Sequence, residues 1–444
     1  MSTRERLGSR LGFIMLSAGC AIGCGNVWKF PWMCGQYGGG SFMVLYFIFL
    51  LVLGLPVLTM EFSVGRAAQT SPVHMYRKLQ KKGCWNLWGA VCLFGNIALM
   101  AFYCVVTGWI LYYFFRFAAG RTEGLGFAAM ISDPAVNVIS LLITVVAAFA
   151  VLSFDLQNGL ERITKGMMIT LLILMAVLAV HSLRLPGAAE GLKFYLVPDF
   201  SKINGETAAG AMNQAFFTLS VGMGSMAIFG SYIDQERTLM GEALHVIALD
   251  TAVAVIAGLI MFPACFTYGV EVTSGPSLLF DTMATVFNHM AGGRWWGMLF
   301  FLFMVFAAMS TVLGVCENIL AMVRELTGWS RPKGSLICAA GVFASALTTA
   351  LGYSVLHFQP FAPGSSWLDF WDFIVSVNIL PLGSLLLSVF CCSASGWGWE
   401  AFLQEANAGR GLRVSRAMKP VFRFAVPAVI LFVYIYGLAV FKWR

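Results

Sequence analysis

The sequence predicts an all-α integral membrane protein built of two five-helix repeats of opposite orientation plus an eleventh helix. Three observations carry that prediction. The 444 residues are 59% hydrophobic and only 11% charged, with a mean hydropathy of +0.80, whereas soluble domains carry about 25% charged residues. Apolar runs of the roughly 20 residues that a helix needs to cross a bilayer recur along the whole chain. Two of these runs, five spans apart, are interrupted near their middles by a Gly-x-Gly triplet.

Spans 1 to 5 are expected at 11–36, 41–65, 86–117, 135–153 and 162–181. Spans 6 to 10 are expected at 209–232, 243–270, 295–323, 335–353 and 369–394, and span 11 at 420–441. The basic start MSTRERLGSR leads into a run too long for a signal peptide and without a small-residue cleavage site, so span 1 is a retained helix. Turn-formers such as Pro186, Pro198, Pro276 and Pro363 mark the longer connections on one side. Most of the 28 lysines and arginines lie on the other, in the N-terminus and in loops such as HMYRKLQKKG and Arg410 to Lys419. Positive residues favour the cytoplasm, which places the N-terminus inside and, after eleven spans, the C-terminus outside. Topology thus accounts for the net charge of +7, and no nucleic-acid partner is needed. The whole of 1–444 reads as one transmembrane domain, with repeats at 1–181 and 208–395 and the last helix within 419–444.

Span 1 is interrupted in AIGCGNVWKFP, at Gly23-Cys24-Gly25, and span 6 in FFTLSVGMGSMAIFG, at Gly222-Met223-Gly224. An odd number of spans between them inserts the second unit upside down, and glycine-interrupted spans at matching places in two halves point to an inverted-repeat transporter. A break at membrane depth frees backbone groups that lipid cannot satisfy. Half-helix N-termini then offer N–H donors to an anion, and freed carbonyls offer oxygens to a cation. The nearby side chains are of the oxygen-bearing kind a sodium ion takes: Asn26, Thr218, Ser220, Asp250, Ser310 and Thr311. Glu61, Asp250 and Glu317 are acids in apolar surroundings, and intramembrane charges are costly and functional by default. Most of the eleven cysteines lie in or beside spans, no CxxC or Cys/His cluster occurs, and no Ser/His/Asp set shares one depth, so no enzyme is expected.

The text RLGFIMLSAGCAIGCGNVWKFP followed by GGGSF and GLPVLTMEFSVGR resembles the neurotransmitter:sodium symporter family. So do FFTLSVGMGS, ALDTAVAVIAGL, YGVEVTSGPSLLF and MSTVLGVCE, in the family's order and over nearly the whole chain. Eleven spans rather than twelve resemble its bacterial amino-acid transporter branch, with the leucine-transporter fold and a place in the bacterial cytoplasmic (inner) membrane. The resemblance implies sodium-coupled import of a neutral, mainly hydrophobic L-amino acid of the leucine, methionine or aromatic type. Another small zwitterion, or a non-transporting sensor of the same fold, is the alternative.

By the same resemblance one sodium ion meets Ala21, Asn26, Thr218 and Asp250, and a second meets Gly19, Ile22, Ala307, Ser310 and Thr311. The substrate carboxylate faces Ala21, Gly23, Gly25 and the Tyr103 hydroxyl. Leu99, Phe217, Thr218, Ser220 and Met223 line the rest of the pocket with Thr311, Gly314 and Val315, and Gly314 opens space across it. Glu61 braces the unwound backbone. Lys29 pairs with Asp372, or with Asp369 in a competing alignment, as an outer gate, and Arg4 pairs with Glu325 as an inner one. Asp250 brings its own negative charge, and Ala254 lacks the hydroxyl of a chloride ligand, so no chloride requirement is expected. The chain is expected to act as a monomer or weak homo-oligomer.

Overall fold

The computed structural model describes residues 7–122, 124–270, 278–356, 359–361 and 363–440. Among these, nine helices are long and apolar enough to cross a membrane, and a tenth span is a pair of half-helices, Arg10–Ala21 and Gly25–Gln36, bent by 53°. They match ten of the eleven expected spans. The sixth, expected at 209–232, is divided into Gly205–Leu219 and Ser225–Gly230, each too short to cross alone. Span 8 runs further than expected, over Gly293–Thr327, because the apolar run continues into a polar but still helical turn ending at Gly328.

Helix ends follow ordinary capping chemistry. Ser9 accepts from the Gly12 N–H at 3.0 Å at the start of span 1. Asp133 accepts from Ala135 and Val136 ahead of Pro134, which opens span 4 (Pro134–Leu152) without needing a backbone partner. Gly269 and Gly328 close spans 7 (Leu239–Tyr268) and 8 in the left-handed conformation.

Spans 3 (Asn86–Ala118) and 8 are the most enclosed and run side by side through the centre, with the two broken spans laid against them. Spans 4, 5 (Gly159–Ser182), 9 (Arg331–Leu351) and 11 (Arg416–Ala439) turn most of their surface outward, with exposed Ile139, Ile173, Leu336 and Phe432. In a bilayer such surface faces hydrocarbon and costs nothing.

The half-helix Ser225–Gly230 is held against span 2 (Gly40–Ala68) by two reciprocal absences of a side chain. A Cβ on Gly65 would overlap the Ala227 carbonyl, and one on Gly230 would fall 2.9 Å from Phe62 Cα. Near the end of span 2, Arg66 pairs with Glu405 at 2.5 Å and donates to the Arg237 carbonyl at 2.7 Å. The connection between spans 10 and 11 is thereby fastened to spans 2, 6 and 7. Gly65→Val should displace the half-helix and destabilise the protein by about 1–3 kcal/mol. A melting temperature equal to that of the parent, measured in detergent, would contradict this packing.

Candidate functional site

Both breaks lie in the middle of the bundle, and side chains from neighbouring elements meet their backbone groups. In span 1 the helix stops at Ala21, Ile22 is extended, and the chain resumes at Gly25. The Cys24 N–H donates to the Tyr103 hydroxyl of span 3 at 2.7 Å. The Gly23 N–H donates to Asn26 Oδ1 at 3.1 Å, and Gln214 Nε2 donates to the Gly25 carbonyl at 2.7 Å. In span 6, Ser220, Gly222 and Gly224 all take positive φ, which only the glycines adopt without strain. The buried Glu61 carboxylate accepts from the Gly222 N–H at 2.7 Å and the Met226 N–H at 3.2 Å. Asn96 donates to the Met223 carbonyl at 3.0 Å and accepts from Ser225 Oγ at 3.1 Å.

The residues expected around a first cation are brought together. Asn26 Nδ2 lies 2.8 Å from Asp250 Oδ1, and Thr218 Oγ1 lies 3.1 Å from both oxygens of that carboxylate. Tyr46 reaches Asp250 Oδ2 at 3.5 Å. Ala21, the fourth residue expected in this set, lines the central cavity. The expected second set also converges. Ser310 Oγ lies 3.3 Å from the Ile22 carbonyl and 2.9 Å from that of Ala307, and Thr311 Oγ1 reaches the carbonyls of Gly19, Ile22 and Ala307 at 3.2–3.5 Å. Five oxygens from spans 1 and 8 thus share one point. Carbonyls and hydroxyls suit a hard monovalent cation, and among the described residues no His/Cys/Asp/Glu cluster suits a transition metal.

Between the two sets is a cavity of about 10 Å³. Of the residues expected there, Ala21, Gly25, Leu99 and Tyr103 line it, as do Phe217, Ser220, Met223 and Thr311. Gly23 stands behind Tyr103 and Thr311, and a Cβ there would overlap both of their oxygens. Thr218 faces Asp250 instead of the cavity. Gly314 departs from expectation. A Cβ there would fall 2.8 Å from Cys20 Cβ, so the space this glycine leaves is filled by span 1 and does not enlarge the pocket. Val315 is buried away from the lining.

Outside the cavity, Lys29 Nζ lies 3.2 Å from Asp372 Oδ1 and 4.2 Å above the Phe217 ring. Asp369 is engaged in a capping box with Ser366, which leaves Asp372 as the partner. A vestibule of about 120 Å³, edged by Trp28, Trp32 and Leu368, opens beyond this pair. Such a half-exposed pair is worth only about 0.2–1 kcal/mol, so it closes the path loosely. Arg4 lies outside the described residues. Its expected partner Glu325 accepts from the Ser71 N–H at 2.9 Å and the Ser71 hydroxyl at 2.6 Å, at the head of the helix Pro72–Leu79. Charged contacts at this end also join Arg10 to Glu242 at 2.9 Å and Arg331 to Glu317 at 2.5 Å, with Tyr232 donating to Glu317 at 3.0 Å. Glu161 accepts from the Gly8 N–H at 2.7 Å and from Ser9 Oγ at 2.9 Å.

Several contributors were absent from the sequence reading. Asn96, Asn318 and Gln214 carried a usable signal, as amides within apolar spans. Tyr46, Cys20, Val375 and Leu380 carried none, since each looks like ordinary packing. Glu61→Gln places an NH₂ donor against backbone donors and leaves a buried N–H unpaired, at about 1–3 kcal/mol. It should lower thermal stability and abolish sodium-dependent stabilisation by ligand in the same melting assay. Retention of both would remove Glu61 from the role of brace.

With this geometry in place, comparison with known proteins gives concordant results. A model of the sodium:neurotransmitter symporter family matches residues 4–123 and 121–443. An uncharacterised sodium-dependent transporter of Bacillus subtilis is 34% identical over 389 residues, covering 86% of each chain. One from Haemophilus influenzae is 30% identical over 460 residues, covering 98% of each. Among solved structures, MhsT in complex with L-phenylalanine superposes with a TM-score of 0.89 at 32% identity, over 97% of this chain and 99% of that one.

Proposed function

The chain belongs to the sodium:neurotransmitter symporter family, and on that premise we propose that it imports a neutral, mainly hydrophobic L-amino acid together with two sodium ions. It is a sodium-dependent, multi-pass membrane transporter of that family. The observation that carries the finer reading is the meeting of two backbone breaks around one cavity, each tied to its own set of oxygens. The bare Gly23 and Gly25, with the Tyr103 hydroxyl, favour a carboxylate at one end of the substrate. Leu99, Phe217 and Met223 at the other end offer no charge to a polar side chain. L-Phenylalanine in the related MhsT supports a bulky or aromatic substrate over glycine or alanine.

In the proposed cycle the first ion joins Asn26, Thr218 and Asp250 to the substrate carboxylate. The second ties span 1 to span 8 through Ile22, Ser310 and Thr311, keeping the inner half-helix docked. A ligand shifts an equilibrium between conformations only by its differential affinity for them, and these ion sites exist only while the spans are together. Asp250 supplies a fixed negative charge beside the first ion, and Ala254 contributes no hydroxyl, which favours independence from chloride.

Uptake of each of the twenty amino acids into proteoliposomes, under a sodium or a potassium gradient, tests the reading. The expected outcome is sodium-driven accumulation of leucine, methionine or aromatic amino acids, unchanged within about twofold when gluconate replaces chloride. Accumulation without sodium, or a steep loss without chloride, would contradict it. The distribution of basic loops favours an N-terminus in the cytoplasm and a C-terminus outside. Cys84 is exposed in the first of these loops, while the other ten cysteines are buried. A membrane-impermeant maleimide should therefore label Cys84 in inside-out vesicles and leave it unlabelled in right-side-out ones; the reverse result would invert the topology.

A further inference from the structure

The cavity between the ion sets is closed on its far side by span 10 (Trp367–Cys392), which contributes Val375 and Leu380. We infer that these two side chains are the wall against which the substrate side chain is measured, so that span 10 sets which amino acids are accepted. The inference rests on the amino-acid reading of the site given above.

Geometry supports it at three levels. Val375 and Leu380 are five residues apart, and in an α-helix such residues lie about 140° apart around the axis, so both could not face one cavity. Span 10 is wound as a π-helix over Phe373–Ile379, and the Leu380 N–H donates to the Val375 carbonyl. That i→i+5 closure stacks the two residues on one face. The wider winding has local causes. Asn378 Nδ2 donates to the Phe373 carbonyl at 2.9 Å, its Oδ1 accepts from the Tyr434 hydroxyl of span 11 at 3.0 Å, and Pro381 follows with no N–H to offer.

The wall is also in fixed register with the break in span 6. A Cβ on Gly222 would overlap the Leu380 carbonyl, and one on Gly383 would overlap the Gly222 carbonyl. The backbones of the two spans therefore touch where Met223 enters the cavity. Val375 and Leu380 are fully buried, and a cavity of about 10 Å³ holds no spare volume for a side chain. An amino acid can therefore enter only as the lining moves, and Val375 and Leu380 are part of that lining. Span 10 also carries Asp372, one turn before Val375, so a side chain that displaces the wall acts on the Lys29–Asp372 closure through the same helix.

The test uses the purified full-length protein. Its melting temperature is titrated with alanine, valine, leucine, methionine, phenylalanine and tryptophan, in sodium and in potassium. Removing or adding a methylene or more at a sizing wall changes discrimination by about tenfold or more. Leu380→Ala should raise the affinity ratio of tryptophan over valine about tenfold, and Val375→Phe should lower it by a similar factor. Ratios that stay within about twofold of the parent, with all ligands weakened alike, overturn the inference. If the parent itself is stabilised by no amino acid in sodium, the amino-acid reading fails instead. Should either variant lose its fold, Leu380→Val and Val375→Ile read the same ratio, and shifts of about tenfold in opposite directions are required.

Discussion

Everything at the centre of this protein depends on how backbone freed inside a membrane is satisfied. Two helices stop and restart where lipid offers no hydrogen bonds, and the cost of each unpaired group is several kcal/mol. The protein answers with side chains from unbroken spans: Glu61 from span 2, Asn96 and Tyr103 from span 3. The breaks therefore exist only inside the completed bundle. A carboxylate is needed on span 6 because several N–H groups converge there, while a hydroxyl and an amide suffice on span 1. The carbonyls at the span 1 break are left facing oxygens of span 8, in an arrangement that a bound cation would complete.

In the proposed cycle the same arrangement couples binding to conformation. Each expected ion set draws oxygens from two or more spans: Asn26, Thr218 and Asp250 from spans 1, 6 and 7, and Ile22, Ser310 and Thr311 from spans 1 and 8. Movement of one span against another dissolves the set. Spans 3 and 8, long and enclosed, run through the centre beside the short half-helices. In the proposed cycle the ions act as removable fasteners between moving and stationary parts.

Much of this was legible in the chain. Hydropathy located ten spans within a few residues, and the two Gly-x-Gly triplets marked both breaks. The sequence marked the break in the sixth span but not its extent: the first half-helix already stops at Leu219, with Ser220 in the left-handed region, and the second restarts only at Ser225. Gly314 was misplaced because sequence shows that a side chain is missing but not which neighbour fills the gap, here Cys20. Asp369 and Asp372 could not be separated by pattern, whereas the capping box at Ser366 separates them at once. Val375 and Leu380 escaped because a period of 3.6 residues puts them on different faces, and a local change of winding leaves no mark that a pattern search would register.

The two ends of the transport path are fastened unequally. At one end, a single lysine is shared between the Asp372 carboxylate and the Phe217 ring, both partly wet. At the opposite end, the start of span 1 alone is held by Glu161 at Gly8 and Ser9 and by Glu242 at Arg10, with the buried Arg331–Glu317 pair close by. A latch of one ammonium group opens on thermal motion. At the opposite end several buried carboxylates share the hold, although the Arg10 side chain that meets Glu242 is itself 45% exposed. The Lys29 end therefore turns on one side chain, whereas the opposite end distributes its hold over carboxylates from spans 5, 7 and 8.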